Sequence, residues 1–163
     1  MGMRWEVTRS TEETSGELFE STNWLDPRMP GPPPHTHPNS EESFEVLEGS
    51  LDVFKDGRWK TLSAGESVAV APGAVHTLRN GTDQPVKLIT RIRPAGRSEA
   101  MFRHMQRLIG ERKLKRLPPK DPRSAIYGAM LFREYPEEIV VTGPLGGVFR
   151  VLASLGKALG FKL

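Results

Sequence analysis

Apolar and polar residues alternate in short runs through residues 1–96, and turn residues cut the runs at close intervals. This period-two pattern predicts strands rather than helices. Trp5–Thr8, Leu18–Trp24, Phe44–Leu47, Leu51–Phe54, Ser67–Val70 and Val86–Arg93 are the runs. In the last, Val86, Leu88 and Ile92 fall on one face and Lys87, Arg91 and Arg93 on the other, where the two arginines are expected to be solvated. Pro27 to Pro38 is too rich in proline for a central strand and reads as a loop with an extended end. Glu48-Gly49, Asp56-Gly57 and Asn80-Gly81 mark turns, and Asp56-Gly57 suits a tight hairpin because glycine accepts positive φ.

The pattern changes after Pro94-Ala95-Gly96. Met101, Met105, Leu108 and Ile109 recur at helical spacing, with Ser98 as the expected N-cap and an end near Arg116, before Pro118-Pro119. Arg123–Phe132 is a candidate second helix, Ile139–Thr142 is β-rich but isolated, and Val148, Leu152, Leu155 and Leu159 form another helical stripe. That stripe is expected to pack on its own domain or on a dimer partner, and contact with a membrane is not expected. The chain therefore divides into a mainly β unit, residues 1–96, and a mostly helical C-terminal extension, residues 97–163.

Composition narrows the function classes. No apolar run approaches the ~18 residues of a membrane span. The chain has no cysteine, hence no disulfide, thiolate ligand or thiol nucleophile, which fits a cytoplasmic location. Residues 1–96 carry 10 Lys+Arg against 14 Asp+Glu, and residues 97–163 carry 13 against 6. The basic extension reads as a solvated helix face; its cations are not interleaved with aromatic residues, so nucleic acid is not an expected partner.

The chain has four histidines, and three of them fall with Glu42 in a ligand-like pattern. His35 and His37 are two apart, so a strand puts both imidazoles on one face. Glu42 opens the next apolar run, and His76 follows the turn after Ser67–Val70. Glu41 is the competing carboxylate, and spacing favours Glu42. His104 reads as a surface histidine. Three neutral imidazoles and one carboxylate suit one divalent transition metal: Fe, Mn, Ni, Zn, Co or Cu. Six-coordination would leave two open positions for small ligands. Strand parity places Phe44 and Val46 on the face of Glu42, and Leu78 on that of His76, predicting an apolar substrate pocket around a polar metal core.

These residues resemble the cupin motifs. His35, His37, Glu42 and Gly49 fall on the first motif, although Met29 stands where its leading glycine belongs and Gly31 comes two residues later. Gly65, Gly73, His76 and Asn80 match the second, with Ala71 in place of its proline and Pro72 one position on. The resemblance covers roughly residues 16–94. It implies a cupin-type double-stranded β-helix, a jelly-roll barrel, with His35, His37, Glu42 and His76 as metal ligands. It further implies a homodimer and a small-molecule ligand. Glu42 is the candidate catalytic base, as suggested for the corresponding glutamate in some dioxygenase cupins. The function expected is a dioxygenase-like metalloenzyme acting on a small apolar or aromatic chelating metabolite. The alternatives are a non-catalytic sensor or binding cupin, or a metal-dependent isomerase. A transcriptional role is not expected, because no helix-turn-helix pattern precedes the barrel.

Overall fold

A computed structural model describes residues 2–163. Nine strands form in the β unit: β1 (Met3–Arg9), β2 (Phe19–Leu25), β3 (His35–Thr36), β4 (Glu41–Glu48), β5 (Ser50–Lys55), β6 (Arg58–Ser63), β7 (Ser67–Val70), β8 (His76–Arg79) and β9 (Val86–Arg93). The extension adds α1 (Ser98–Gly110), α2 (Pro122–Glu134), β10 (Val140–Val141) and α3 (Gly143–Ala158). Two antiparallel five-stranded sheets face each other, in the orders β1-β2-β9-β4-β7 and β10-β3-β8-β5-β6. This is the mainly β jelly-roll barrel that the motif resemblance implies, with the C-terminal helices that the apolar spacing predicts.

Alternation decides what each strand buries. Glu42, Phe44 and Val46 turn inward along β4, and Val86, Leu88 and Ile92 along β9. The barrel core is Leu25, Phe44, Val46, Leu51, Leu62 and Leu88 with their neighbours. Asp56 and Gly57 both have positive φ, 54° and 75°, the backbone of a primed hairpin turn between β5 and β6. Gly31 is required for a different reason. Its φ is +78°, and a Cβ there would lie 1.6 Å from the Leu78 carbonyl oxygen. Gly31→Ala is therefore expected to cost about 2 kcal/mol or more, read as a lowered thermal midpoint, because strain and backbone overlap act together.

A second core joins barrel to extension. Trp5, Phe19 and Ile92 of one sheet pack with Met101, Phe102 and Leu108 of α1, Leu131 of α2, and Tyr135 and Ile139 beyond it. Each large apolar side chain buried here contributes roughly 1.5–3 kcal/mol.

Several expectations for the extension are corrected. Arg97, not Ser98, occupies the N-cap of α1, and the Ser98 hydroxyl donates instead to the Glu138 carboxylate at 2.7 Å. The helix ends at Gly110 because Arg112 adopts φ 57°, which turns Leu114 into the core. Ile139–Thr142 is not isolated: β10 pairs antiparallel with β3, Val140 opposite Thr36 and Val141 opposite His35. On α3 only part of the stripe packs within the chain: Leu152 joins Gly146, Ala153 and Gly156 on the face toward α2, while Val148, Leu155 and Leu159 are exposed. Gly156 permits a close approach to α2, since a Cβ would meet Met130 Sδ at 2.5 Å and Ile126 Cγ2 at 2.6 Å. Arg91 is not simply solvated; it pairs with Glu20 at 2.7 Å and Glu45 at 2.8 Å across the sheet. His104 is half-buried, its ring edge-on to Tyr135.

Candidate metal centre

The four anticipated ligands converge. One donor atom from each of His35, His37, Glu42 and His76 lies within 4.8 Å of the others, and all four side chains are buried. The fold places them from both sheets. His35 and His76 are register partners on β3 and β8, and their ring centroids lie 4.4 Å apart. Glu42 projects from β4 on the facing sheet. His37 sits just beyond β3, where its carbonyl accepts the Gly73 N–H at 2.8 Å, tying the first ligand segment to the turn that precedes His76. Glu41 is exposed.

Hydrogen bonds set the imidazole tautomers. Nδ1 of His35 faces the Pro33 carbonyl at 2.9 Å, Nδ1 of His76 faces the Ala74 carbonyl at 3.0 Å, and Nδ1 of His37 faces the Glu138 carbonyl. A carbonyl only accepts, so each ring carries its proton on Nδ1 and leaves Nε2 as a lone pair. Glu42 Oε2 lies 2.8 Å from His76 Nε2 and 3.1 Å from His37 Nε2. Acceptors that close repel unless a cation lies among them. Metal-binding histidines characteristically give their second ring N–H to a carbonyl or carboxylate, and this donor set fits a divalent transition metal.

A proton can serve as that cation when no metal is bound. Burial opposes a charge on His37, but the Glu42 carboxylate and hydrogen bonds to Glu42 and Glu138 outweigh it and raise its pKa. Burial likewise opposes ionisation of Glu42, yet the charge on His37 and its hydrogen bond hold the carboxyl well below the usual range. Burial, aided by His76 and His37, depresses His35 to about 3. The stability signs follow. His35 is buried neutral, so the unfolded chain binds the extra proton and stability falls as pH drops from 6.5 towards 3. The contribution of Glu42 is present above 4.5 and is lost as pH falls through its lowered value. The contribution of His37 is full below 6.5 and is lost as pH rises through its raised value. Metal-free protein is therefore expected to lose thermal stability between about pH 6 and 4. Melting curves across that range in the presence of a chelator check this; a midpoint that rose towards pH 4 would contradict it.

The centre opens onto a cavity of about 380 Å³. His35, His37 and Glu42 line one end, and Met29, Phe44, Leu78 and Thr90 continue the wall. Of the three pocket residues expected from strand parity, Phe44 and Leu78 line the cavity. Val46 packs instead among the barrel core residues, fully buried, and is not part of the wall. Sequence reasoning missed the rest of the enclosure. Met101, Met105, Leu114, Leu131, Phe132 and Phe149 of the extension close the cavity. It also missed Glu138, whose carbonyl orients His37. The β-rich run Ile139–Thr142 was the one local signal that this segment joins a sheet. Asn80 of the second motif is structural. Its amide donates to the carbonyls of Asp26 at 3.0 Å and Gln84 at 2.7 Å, and its oxygen accepts from Thr82.

Comparison with known proteins agrees with the geometry. The family model described as "Cupin domain" matches residues 25–91. The HTH-type transcriptional regulator SutR of Escherichia coli K12 is 36% identical over 77 residues, 47% of this chain and 36% of that protein. The chain spans well under two thirds of the curated relatives it matches first. Among solved structures, the Cupin_2 domain of an XRE family transcriptional regulator from Enterobacter cloacae is 26% identical, with a TM-score of 0.50 over 57% of this chain and 97% of that one. An RmlC-like cupin from Shewanella frigidimarina is also 26% identical, with a TM-score of 0.52 over 60% of this chain and 81% of that one.

Proposed function

We propose, from the premise that the barrel of this chain is a cupin domain, that the protein is a metal-dependent enzyme of dioxygenase type acting on a small apolar or aromatic chelating metabolite. The observation that carries this reading is the opening of the donor cluster, through His35, His37 and Glu42, onto a largely apolar cavity. A structural metal needs no such access, whereas a catalytic one keeps a position open to substrate.

His35, His37 and His76 would hold the ion through Nε2, each oriented by a backbone carbonyl at Nδ1. A bound transition metal supplies Lewis acidity and, for a redox-active ion, electron transfer towards dioxygen. Glu42, the one carboxylate of the cavity wall, would supply the fourth donor and, on leaving the ion, would act as the base that takes a proton from an acidic hydroxyl of a chelating ligand. Phe44, Leu78 and Met29 exclude water from the reacting end, which strengthens the charge interactions there.

Oxygen consumption by the iron, nickel and manganese forms, measured across flavonols, catechols and diketones, tests the proposal. Uptake matched by loss of the organic ligand is expected. Tight ligand binding without uptake would favour the second reading, a small-molecule sensor. The similarity to regulator proteins is the observation behind that alternative.

A further inference from the structure

The cavity wall beyond the metal centre has an unusual chemistry. Among the described residues no lysine, arginine or aspartate lines it, and Glu42 at the centre is its one acid. Thr90 is its single hydroxyl; its oxygen accepts a hydrogen bond from Asn23 at 3.0 Å, which leaves one O–H to donate. A second charged group on a ligand would be stripped of water with no cation to meet it, at a cost of several kcal/mol. Sugars, phosphates and dicarboxylates, which need several such partners, are disfavoured on this ground.

Part of the wall belongs to the helical extension. Phe132 of α2 and Phe149 of α3 stack there, with ring centroids 5.8 Å apart and planes 16° from parallel. Four of the chain's six methionines, Met3, Met29, Met101 and Met105, line the cavity. Methionine is flexible and polarisable, and it adapts to differently shaped apolar occupants. The cavity volume of about 380 Å³ falls within the range of small-molecule sites.

Resting on the metal reading above, we propose that the extension is the specificity element of the site. It selects a lipophile with one oxygen-chelating head at the metal and an uncharged hydrocarbon body reaching the Phe132–Phe149 pair. Gly128 of α2 marks where the length limit is set. It lines the cavity, and a Cβ there would meet only Pro119 Cγ, at 3.6 Å, so a larger side chain at this position has room to enter the space the ligand body occupies.

The test uses nickel-loaded full-length protein and straight-chain alkyl hydroxamic acids of increasing length, with affinities read by calorimetry. Each added methylene is expected to tighten binding about threefold to fourfold until the cavity is full. Gly128→Leu should shorten the limiting chain by about the length of its own side chain, and Phe132→Ala should lengthen it. Both should leave nickel stoichiometry unchanged. If either variant fails to fold, the other still decides the direction. Affinity that is flat with chain length, or a limit unmoved by the folded variants, overturns the proposal while full nickel binding leaves the metal reading intact. If the wild type binds no nickel, the metal reading fails. The same series as n-alkyl alcohols on metal-free protein then decides separately: length-dependent binding upholds the extension as the specificity element, and its absence overturns it.

Discussion

Glu42→Gln is expected to abolish high-affinity metal binding while leaving the metal-free protein folded. The carboxylate is the one anionic donor of the cluster, facing three imidazole nitrogens in a buried site. Its loss should weaken binding by more than the 10–100-fold typical of changes to outer partners of metal ligands. The metal-free fold should survive because the glutamine amide donates hydrogen bonds where the carboxylate could only accept. Its N–H groups would meet the Nε2 lone pairs of His76 and His37, now 2.8 Å and 3.1 Å from Oε2, and His37 would no longer need an extra proton. In wild type, metal at a hundredfold excess over its Kd should add about 2.7 kcal/mol of stability. For a chain of this size that is a rise of roughly 5–10 °C in thermal midpoint. In Glu42→Gln the rise should vanish. His76→Ala should lose the metal as well, but with a lower metal-free midpoint, because it removes a fully buried ring packed against His35 and Phe44. Elemental analysis and melting curves with and without metal check both variants; stoichiometric metal in either would show that the ligand set is misassigned.

Glu138→Ala is expected to damage stability and metal affinity together, although no side-chain atom of Glu138 touches the centre. Its buried carboxylate accepts the Arg97 N–H at 2.8 Å and the Ser98 hydroxyl at 2.7 Å, which fastens residues 135–142 to the start of α1. The same residue gives its carbonyl to His37 Nδ1, and the strand that follows pairs with the backbone of His35. Removing the carboxylate strands buried donors, at about 2–3 kcal/mol, or a midpoint lowered by roughly 4–12 °C. Loosening the carbonyl that orients His37 should weaken metal binding about 10–100-fold. Glu138→Gln keeps the shape and one acceptor and should fall between Ala and wild type. A variant with lowered stability but unchanged metal affinity would show that the segment only supports the fold.

The two predictions differ in how far the sequence reveals them. His35 and His37 share a face because a strand repeats every two residues, and Glu42 shares one with Phe44 for the same reason. The span of β9 and the Asp56-Gly57 turn follow from alternation and turn chemistry within a few residues. Those are local regularities; the choice of Glu42 over its exposed neighbour Glu41 came from motif spacing.

What required the tertiary structure is whatever depends on which faces meet. The partner of His37 is 101 residues away, and no periodicity near either residue indicates it. The stripe of α3 was visible as a pattern, yet only Leu152 of it packs on α2; the rest of that face is Gly146, Phe149, Ala153 and Gly156, with Gly156 close against Met130 and Ile126. Val46 has the parity of a pocket residue but sits where the barrel core is closed. The sequence by itself thus determined most of the strands and, through its two spaced motifs, named His35, His37, Glu42 and His76 as one set, since backbone periodicity orients neighbours within one element and the motif resemblance links the two segments. Only long-range packing decided what orients those side chains and what encloses the space before them, since that depends on contacts between elements that no local pattern encodes.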